Sequence, residues 1–245
     1  MEHFVIWAPG YNCAKYIQQH MESVNNQSYT NYTHMVVDDA STDNTWEEIN
    51  KYKTAKHLLY RNKTHKTKAF NSENYLRPYV KETDVIINLD LDDWFAHNDV
   101  LARLNEIYST EKCWATYGHY KHLKRQQPMV GYPPEVLKDR SFREAHLYWH
   151  HLRTWKGFLF HRIDPEDFKG PNGNFIPHCW DLAVGFPVLE MTPPEKLRFI
   201  PEILMVYNAL NPLRISSKAR TKTGLREHFR NKPKYDRLAL SVGDL

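Results

Sequence analysis

The stretch Val85-Ile86-Ile87-Asn88-Leu89-Asp90-Leu91-Asp92-Asp93-Trp94 constrains this chain more than any other: an apolar run stops in three carboxylates within four residues. Carboxylates crowded in this way repel one another and are costly to bury, so a cation among them is the natural relief. If the run is a buried strand, residues two apart share a face, and Asp90 and Asp92 project together at its C-terminal end. Hard oxygen ligands suit Mg²⁺ or Mn²⁺, and a site with one or two protein carboxylates leaves the other positions to water and phosphate. The same residues also fit a strand end followed by a carboxylate capping the next helix.

The pattern around this run is an alternation of strands and helices. Phe4 to Ala8 reads as a strand, and Tyr16, Ile17, His20, Met21 and Val24 then recur at helical spacing. Met35 to Val37 is a second strand ending in Asp38-Asp39, and Trp46 to Tyr52 is a helix with Ser41, Thr42 or Asp43 available as a cap. A third strand covers His57 to Arg61, a helix Lys68 to Tyr79 breaks near Pro78, and a helix carrying Val100, Leu101, Leu104 and Ile107 starts at Asn98 or Asp99. Such alternation predicts an α/β fold with a mostly parallel sheet, whose ligands sit beyond the C-terminal strand ends. Pro9-Gly10-Tyr11-Asn12, Asp38-Asp39 and the carboxylate run should therefore converge on one edge. Trp114 to Tyr120 and Phe199 to Tyr207 are later strands, and Pro201 favours an edge or a strand start for the second. Residues 126–140 and 164–177, rich in Pro and Gly, read as loops that choose a substrate.

The charge balance of 33 basic against 29 acidic residues does not demand a nucleic-acid partner. Its distribution says more: seven Lys/Arg and no acid lie between Lys51 and Lys68, and nine Lys/Arg lie between Arg214 and Arg237. Either region suits an anionic ligand or a membrane surface, and equally a solvated face. The longest apolar runs are far shorter than the roughly 18 residues of a membrane span, and the start of the chain lacks a signal-peptide pattern. The expectation is a soluble cytoplasmic protein. Cys13, Cys113 and Cys179 show no paired spacing and read as reduced thiols.

Three blocks in order and spacing, Pro9-x-Tyr11-Asn12, Val37-Asp38-Asp39-x-Ser41-x-Asp43-x-Thr45 and Leu89-Asp90-x-Asp92-Asp93-Trp94, resemble the inverting family 2 glycosyltransferases of GT-A fold over about residues 4 to 110. The resemblance implies a GT-A domain over 1–210, with a nucleotide-sugar half to about 110 and an acceptor half from 111, followed by a basic extension over 211–245. It implies that Pro9, Tyr11, Asn12 and Asp39 hold the nucleotide, a UDP-sugar by preference, with Tyr11 and Asp39 on the base. Asp92 then carries Mn²⁺ or Mg²⁺, and Asp90 stands near the metal or the ribose. Asp93 is left as a structural or helix-start carboxylate. Lys68 and Asn71 fall where such enzymes have a helix near the donor, but the glycine usual before it is absent.

The family draws its catalytic base from an acidic residue near a helix start, and Asp181 in His178-Cys179-Trp180-Asp181 is the candidate, with Glu190 the alternative. His151 and Arg153 are cationic donors for a diphosphate. Two adjacent histidines, His150 and His151, cannot both face one site from a strand. The acceptor is open among glycan, lipid-linked and protein hydroxyls. The Arg-x-x-Arg-Trp signature of processive, membrane-embedded relatives is absent, which favours one sugar per encounter. A sugar-1-phosphate nucleotidyltransferase and a non-catalytic binding module on the same fold are the rival readings.

Overall fold

A computed structural model describes residues 1–124, 129–213 and 224–239. Its strands are β1 (Phe4–Gly10), β2 (Tyr32–Asp38), β3 (His57–Arg61), β4 (Val85–Asn88), β5 (Trp94–Phe95), β6 (Ala115–His122), β7 (Arg153–Lys156) and β8 (Leu197–Tyr207). They form one sheet in the order β3-β2-β1-β4-β7-β6-β8-β5. Pairings within β3-β2-β1-β4 and between β6 and β8 are parallel; β7 runs antiparallel to β4 and β6, as β5 does to β8. The α/β fold and the mixed, mostly parallel sheet agree with the sequence expectation.

The helices follow from the period of the apolar residues. In α1 (Ala14–Asn25) the buried positions are Ile17, His20, Met21 and Val24, one face of a 3.6-residue repeat. Helix α2 (Thr45–Tyr52) buries Thr45 and Ile49. Its cap differs from the expectation in detail: Asn44 precedes it without a side-chain bond, and Asp43 accepts from Thr45 N at 3.0 Å. Asp43 also accepts from Ala14 N at 3.2 Å, so one carboxylate serves the N-termini of both α1 and α2. The expected helix from Lys68 to Tyr79 is present as α3 (Lys68–Asn71), a π-helical turn Ser72–Leu76 and α4 (Arg77–Tyr79). Pro78 lies in its last turn. Helix α5 (Val100–Glu111) starts after Asp99 as expected.

Side chains alternate across β1, and with them the core divides. Val5 and Trp7 face one layer, Phe4 and Ile6 pack with α5, and Ala8 packs with α1 and α2. Both faces are covered, which is why β1, β2 and β4 read as nearly unbroken apolar runs.

The second half departs further from the sequence reading. The sequence expectation has no strand at β7, of four residues, nor in the first half at β5, of two; both are too short for a periodic signal. Within the expected loop 126–140 lies α6 (Pro134–Asp139). Strand β8 lies between β6 and β5, but β5 pairs only with Met205 and Val206, so Pro201 stands on an exposed stretch with β6 as its strand neighbour, as an edge residue would, at a register shift where Gly118 pairs with Ile200 and His119 with Ile203. After β7 comes α7 (Gly157–His161), then a 3₁₀ turn Pro165–Phe168 and α8 (Trp180–Met191).

Of the basic extension, residues 224–239 are described, and they pack onto the second half. Leu225 and Phe229 of α9 (Leu225–Asn231) join the larger core, and Leu238 N donates to Met191 O at 2.9 Å. Arg214, Lys218, Arg220 and Lys222 lie outside the described residues. Among the described residues no helix is long and apolar enough to cross a membrane.

Beneath the carboxylate run lies a buried histidine pair. His20 Nδ1 bonds the carbonyl of Asp93 at 2.7 Å, and His20 Nε2 is 3.1 Å from His34 Nε2. Both are fully buried. Burial lowers His20 to about 4 and pushes His34 well below its ordinary value, helped by His20 and His57. The unfolded chain takes up protons near pH 6.5, where the folded one refuses them, so stability is lost as pH falls from there. Wild type should lose about 2 kcal/mol more unfolding free energy between pH 7.5 and 5 than His20→Gln, measured by urea denaturation. Equal losses would show that the pair does not titrate this way.

Candidate active site

The strand order reverses between β1 and β4, and the chain leaves both strands into one cavity of about 710 Å³. Crevices at such reversals are where open α/β sheets hold ligands. The carboxylate run is attached there by its backbone: Leu89 N donates to Trp7 O at 3.0 Å and Leu91 N to Pro9 O at 3.3 Å. Leu91 is fully buried and lies so near Gly10 that a Cβ there would stand 2.6 Å from Leu91 Cβ. Strand β4 ends at Asn88, so a turn rather than strand alternation brings Asp90 and Asp92 to the cavity wall on either side of Leu91.

The three carboxylates part by environment. Asp92 accepts from Asn211 Nδ2 at 2.8 Å, and burial together with the charge of Asp90 raises its carboxyl. Asp90 pairs with the ammonium of Lys68, which also donates to Asn88 Oδ1 at 2.6 Å. Asp93 is 1 % exposed, accepts from Asn208 N at 2.7 Å and faces away from the cavity; burial and its two neighbours push its carboxyl well up.

A second wall comes from the ends of β1 and β2. Asp38 is fully buried and accepts from Ser41 N at 2.9 Å, which leaves Asp39 to face the cavity. Asp39 N donates to Gly10 O at 2.9 Å, and its Oδ1 accepts from Lys66 N at 2.9 Å and Asn62 Nδ2 at 2.6 Å. Pro9 and Tyr11 line the same wall, with the Tyr11 ring edge-on to His65 at 4.6 Å. Asn71 lines it too, its Oδ1 accepting from Asn62 at 2.7 Å. Asn12 is placed differently: it does not line the cavity, and its Oδ1 accepts from Thr42 N at 2.8 Å while its backbone N bonds Ser41 Oγ at 2.9 Å. It joins the two turns.

The third wall is built by α8 and the approach to β7. Every residue of α8 is buried except Asp181, which lies in its first turn and lines the cavity. Trp180 Nε1 donates to Ser72 Oγ at 2.9 Å, fixing that turn against the π-helical segment. Arg153 is 8 % exposed, donates to Trp149 O at 2.8 Å and places Nη1 3.9 Å from Asp181 Oδ2. His150 and His151 both line the cavity, contrary to the expectation for adjacent residues, because they precede β7 and escape strand alternation. Burial and then Arg153 lower His150 to about 4, so it is neutral at pH 7. Glu190 is fully buried at the far end of α8, where it pairs with Arg143 at 2.5 and 2.8 Å and accepts from Tyr235 N at 3.0 Å. That position takes it out of contention as a base.

Sequence reasoning gave no role to His65, Tyr120, Tyr207 or Asn211, which also line the cavity. Tyr120 lies two residues before the end of β6 and Tyr207 ends β8, and alignment of those ends needs the sheet order. Asn211 follows β8 in an Asn-Pro turn, a signal present in the sequence but unreadable until β8 is seen to return beside the carboxylates.

The sheet order, with a cavity at its reversal, defines an open α/β fold, and solved structures share it. S. aureus TarS 1–349 in complex with UDP-GlcNAc superposes with a TM-score of 0.67 over 94% of this chain and 66% of that one, at 16% identity. A mannosyltransferase from Pyrobaculum calidifontis, PcManGT, in complex with GDP-Man and Mn²⁺ superposes at 0.65 over 95% of this chain and 66% of that one, at 19% identity. Residues 6–180 match the family model for glycosyl transferase family 2, and the chain belongs to that family. WfaP of Escherichia coli, a UDP-Glc:alpha-D-GlcNAc-diphosphoundecaprenol beta-1,3-glucosyltransferase, is 30% identical over 69% of this chain and 68% of its own length. The E. coli chondroitin synthase is 27% identical over 74% of this chain, which spans only 24% of that protein.

Removing one partner of a buried ion pair leaves an uncompensated charge. Glu190→Gln should therefore lower the unfolding free energy by about 3 kcal/mol while leaving the affinity of the folded protein for a nucleotide unchanged. Urea denaturation and calorimetric nucleotide titration check the two halves of that expectation.

Proposed function

We propose that this family 2 protein is an inverting, divalent-metal-dependent glycosyltransferase that moves a single sugar from a UDP-sugar to an acceptor hydroxyl. The observation that carries the reading is a single cavity bounded by Asp90 and Asp92 on one wall and by Asp181, the sole unburied residue of α8, on another. The WfaP and TarS names, each with a UDP-sugar, support the donor.

Asp90 and Asp92 suit a hard divalent ion, because the carboxyl of Asp92 is raised by burial and by a like charge that a cation would relieve. No cluster of three or more His, Cys, Asp or Glu suited to a metal occurs among the described residues, so diphosphate and water would complete the coordination of an ion held by Asp92. Bound there, the ion supplies charge neutralisation on the leaving phosphate.

Asp39 and Tyr11 form the base end, where a carboxylate oxygen accepts the imide N–H of uracil beside a flat ring. Asp181 takes the proton from the acceptor hydroxyl; the oxygen forms its bond to the anomeric carbon as the bond to phosphate breaks, and the electron pair leaves with the nucleoside diphosphate. Single displacement inverts the anomeric carbon. Arg153 orients Asp181 and presents a fixed positive charge to the developing diphosphate. The His151 ring lines the same wall. A sugar-bearing diphosphate lipid, like that named for WfaP, is the acceptor class to try first.

The test is release of nucleoside diphosphate from a panel of nucleotide sugars with Mn²⁺ or Mg²⁺ and a saccharide-lipid acceptor. Asp181→Asn should bind UDP within about twofold of wild type while transfer falls by about 10² to 10⁴. Asp92→Ala should cost about 3 kcal/mol of barrier, a loss of a hundredfold or more. Transfer that survives either change dismisses that residue. Pyrophosphate release from a nucleoside triphosphate and a sugar phosphate would instead make the protein a nucleotidyltransferase, and no turnover with any donor would leave a binding module.

A further inference from the structure

Lys68 stands at the meeting point of the donor and acceptor walls. Thr67 caps its helix by accepting from Phe70 N at 3.1 Å, which fixes where the Lys68 side chain leaves the backbone. Its ammonium holds three partners at once: Asp90, Asn88 Oδ1 at 2.6 Å, and the face of Trp180 at 4.4 Å. An ammonium is a compact point charge, and the combination of an ion pair, a neutral acceptor and an aromatic face holds it in place. Asp92 has a neutral donor instead, Asn211 Nδ2 at 2.8 Å, and Lys68 is ion-paired not with it but with Asp90. The corner thus holds two carboxylates and one resident cation.

We propose that Lys68 is a built-in counter-ion that competes with the divalent metal for Asp90 and is drawn away by the diphosphate of the incoming nucleotide, so that metal and nucleotide bind as a coupled pair. This rests on the donor site proposed above. A carboxylate oxygen engaged by an ammonium is a poorer metal ligand, and the ammonium repels a divalent ion beside it. A diphosphate offers Lys68 an anionic partner of higher charge, which frees Asp90 as the nucleotide arrives. Binding free energies are reciprocal, so whatever nucleotide does for metal affinity, metal does for nucleotide affinity by the same factor. Lys68 is on this account a positioning residue, and its effect appears in binding before any sugar moves.

The experiment measures Mn²⁺ binding by water-proton relaxation, with and without UDP, in wild type, Lys68→Met and Lys68→Arg. Lys68→Met should bind Mn²⁺ alone about five- to tenfold more tightly than wild type, while the enhancement of Mn²⁺ binding by UDP shrinks by a similar factor. Lys68→Arg keeps the charge and should keep both wild-type properties. Lys68→Met that binds Mn²⁺ alone no more tightly, in a protein whose wild type does bind UDP with Mn²⁺, overturns the role of Lys68 and leaves the donor site standing. A wild type that takes up no UDP at any Mn²⁺ concentration overturns the donor site and this proposal with it. A Lys68→Arg variant that behaves like Lys68→Met would show that packing on Trp180, not charge, is what matters, and would also overturn it.

Discussion

The contact between Gly10 and Leu91 is the constraint on which the rest of the site depends. Leu91 is the apolar residue inside a run of carboxylates, and its burial against the end of β1 turns Asp90 and Asp92 outward to the same cavity. Only a residue without a Cβ fits at position 10, where any side-chain carbon would collide with Leu91 at 2.6 Å. The turn that carries the charge is thus held by hydrophobic burial and by backbone bonds to Trp7 and Pro9, not by interactions among the charged groups. Burying a leucine contributes about 2 kcal/mol, enough to fix a turn that two like charges would otherwise loosen.

A second anchoring works by the same logic from the opposite side. Helix α8 is buried at every position but Asp181, which for an isolated amphipathic helix would be a fault but here makes it a rigid post through the second half. Its close seating is marked by Gly185, where a Cβ would come within 2.8 Å of the Trp149 ring. Trp149 in turn accepts the Arg153 side chain on its carbonyl. The helix, Trp149, Arg153 and Asp181 therefore form one packed unit, and the orientation of the carboxylate follows from apolar contacts several residues away.

The first half was legible because its signals are local. Apolar runs ending in Asp38-Asp39 and Asp90 to Asp93 announce strand ends, and the helix faces of α1 and α5 follow from single-residue spacing. The separation of Asp93 from Asp92 comes from the turn after β4, which ends at Asn88, and not from strand alternation. The second half resisted because its signals are relational. The short strands β5 and β7 exist only as partners of β8 and of β4 and β6, and no period of two or four residues marks them. His150 and His151 were misjudged for this reason, since the rule of alternation applied to a strand that begins at Arg153. Glu190 and Asp181 share one helix and one residue class, and partners distant in sequence, the Arg143 guanidinium and Tyr235 N on a buried Glu190, tell them apart.

The cavity holds carboxylates whose repulsion opposes folding, and the structure sets against them a fully buried layer directly beneath: Asp93 bonded to Asn208, and the Asp93 carbonyl bonded to His20, which is itself against His34. Because burial keeps both histidines neutral near pH 7, they steady the carboxylate turn by hydrogen bonding without adding a positive charge that would compete for Asp90 and Asp92. A lysine or arginine in their place would quench the field of the cavity from below. With neutral histidines beneath and the Lys68 ammonium paired to Asp90 at the cavity wall, the turn keeps its carboxylates toward the cavity while its buried side is satisfied by hydrogen bonds, which is how a folded chain can hold crowded negative charge in one corner and stay folded.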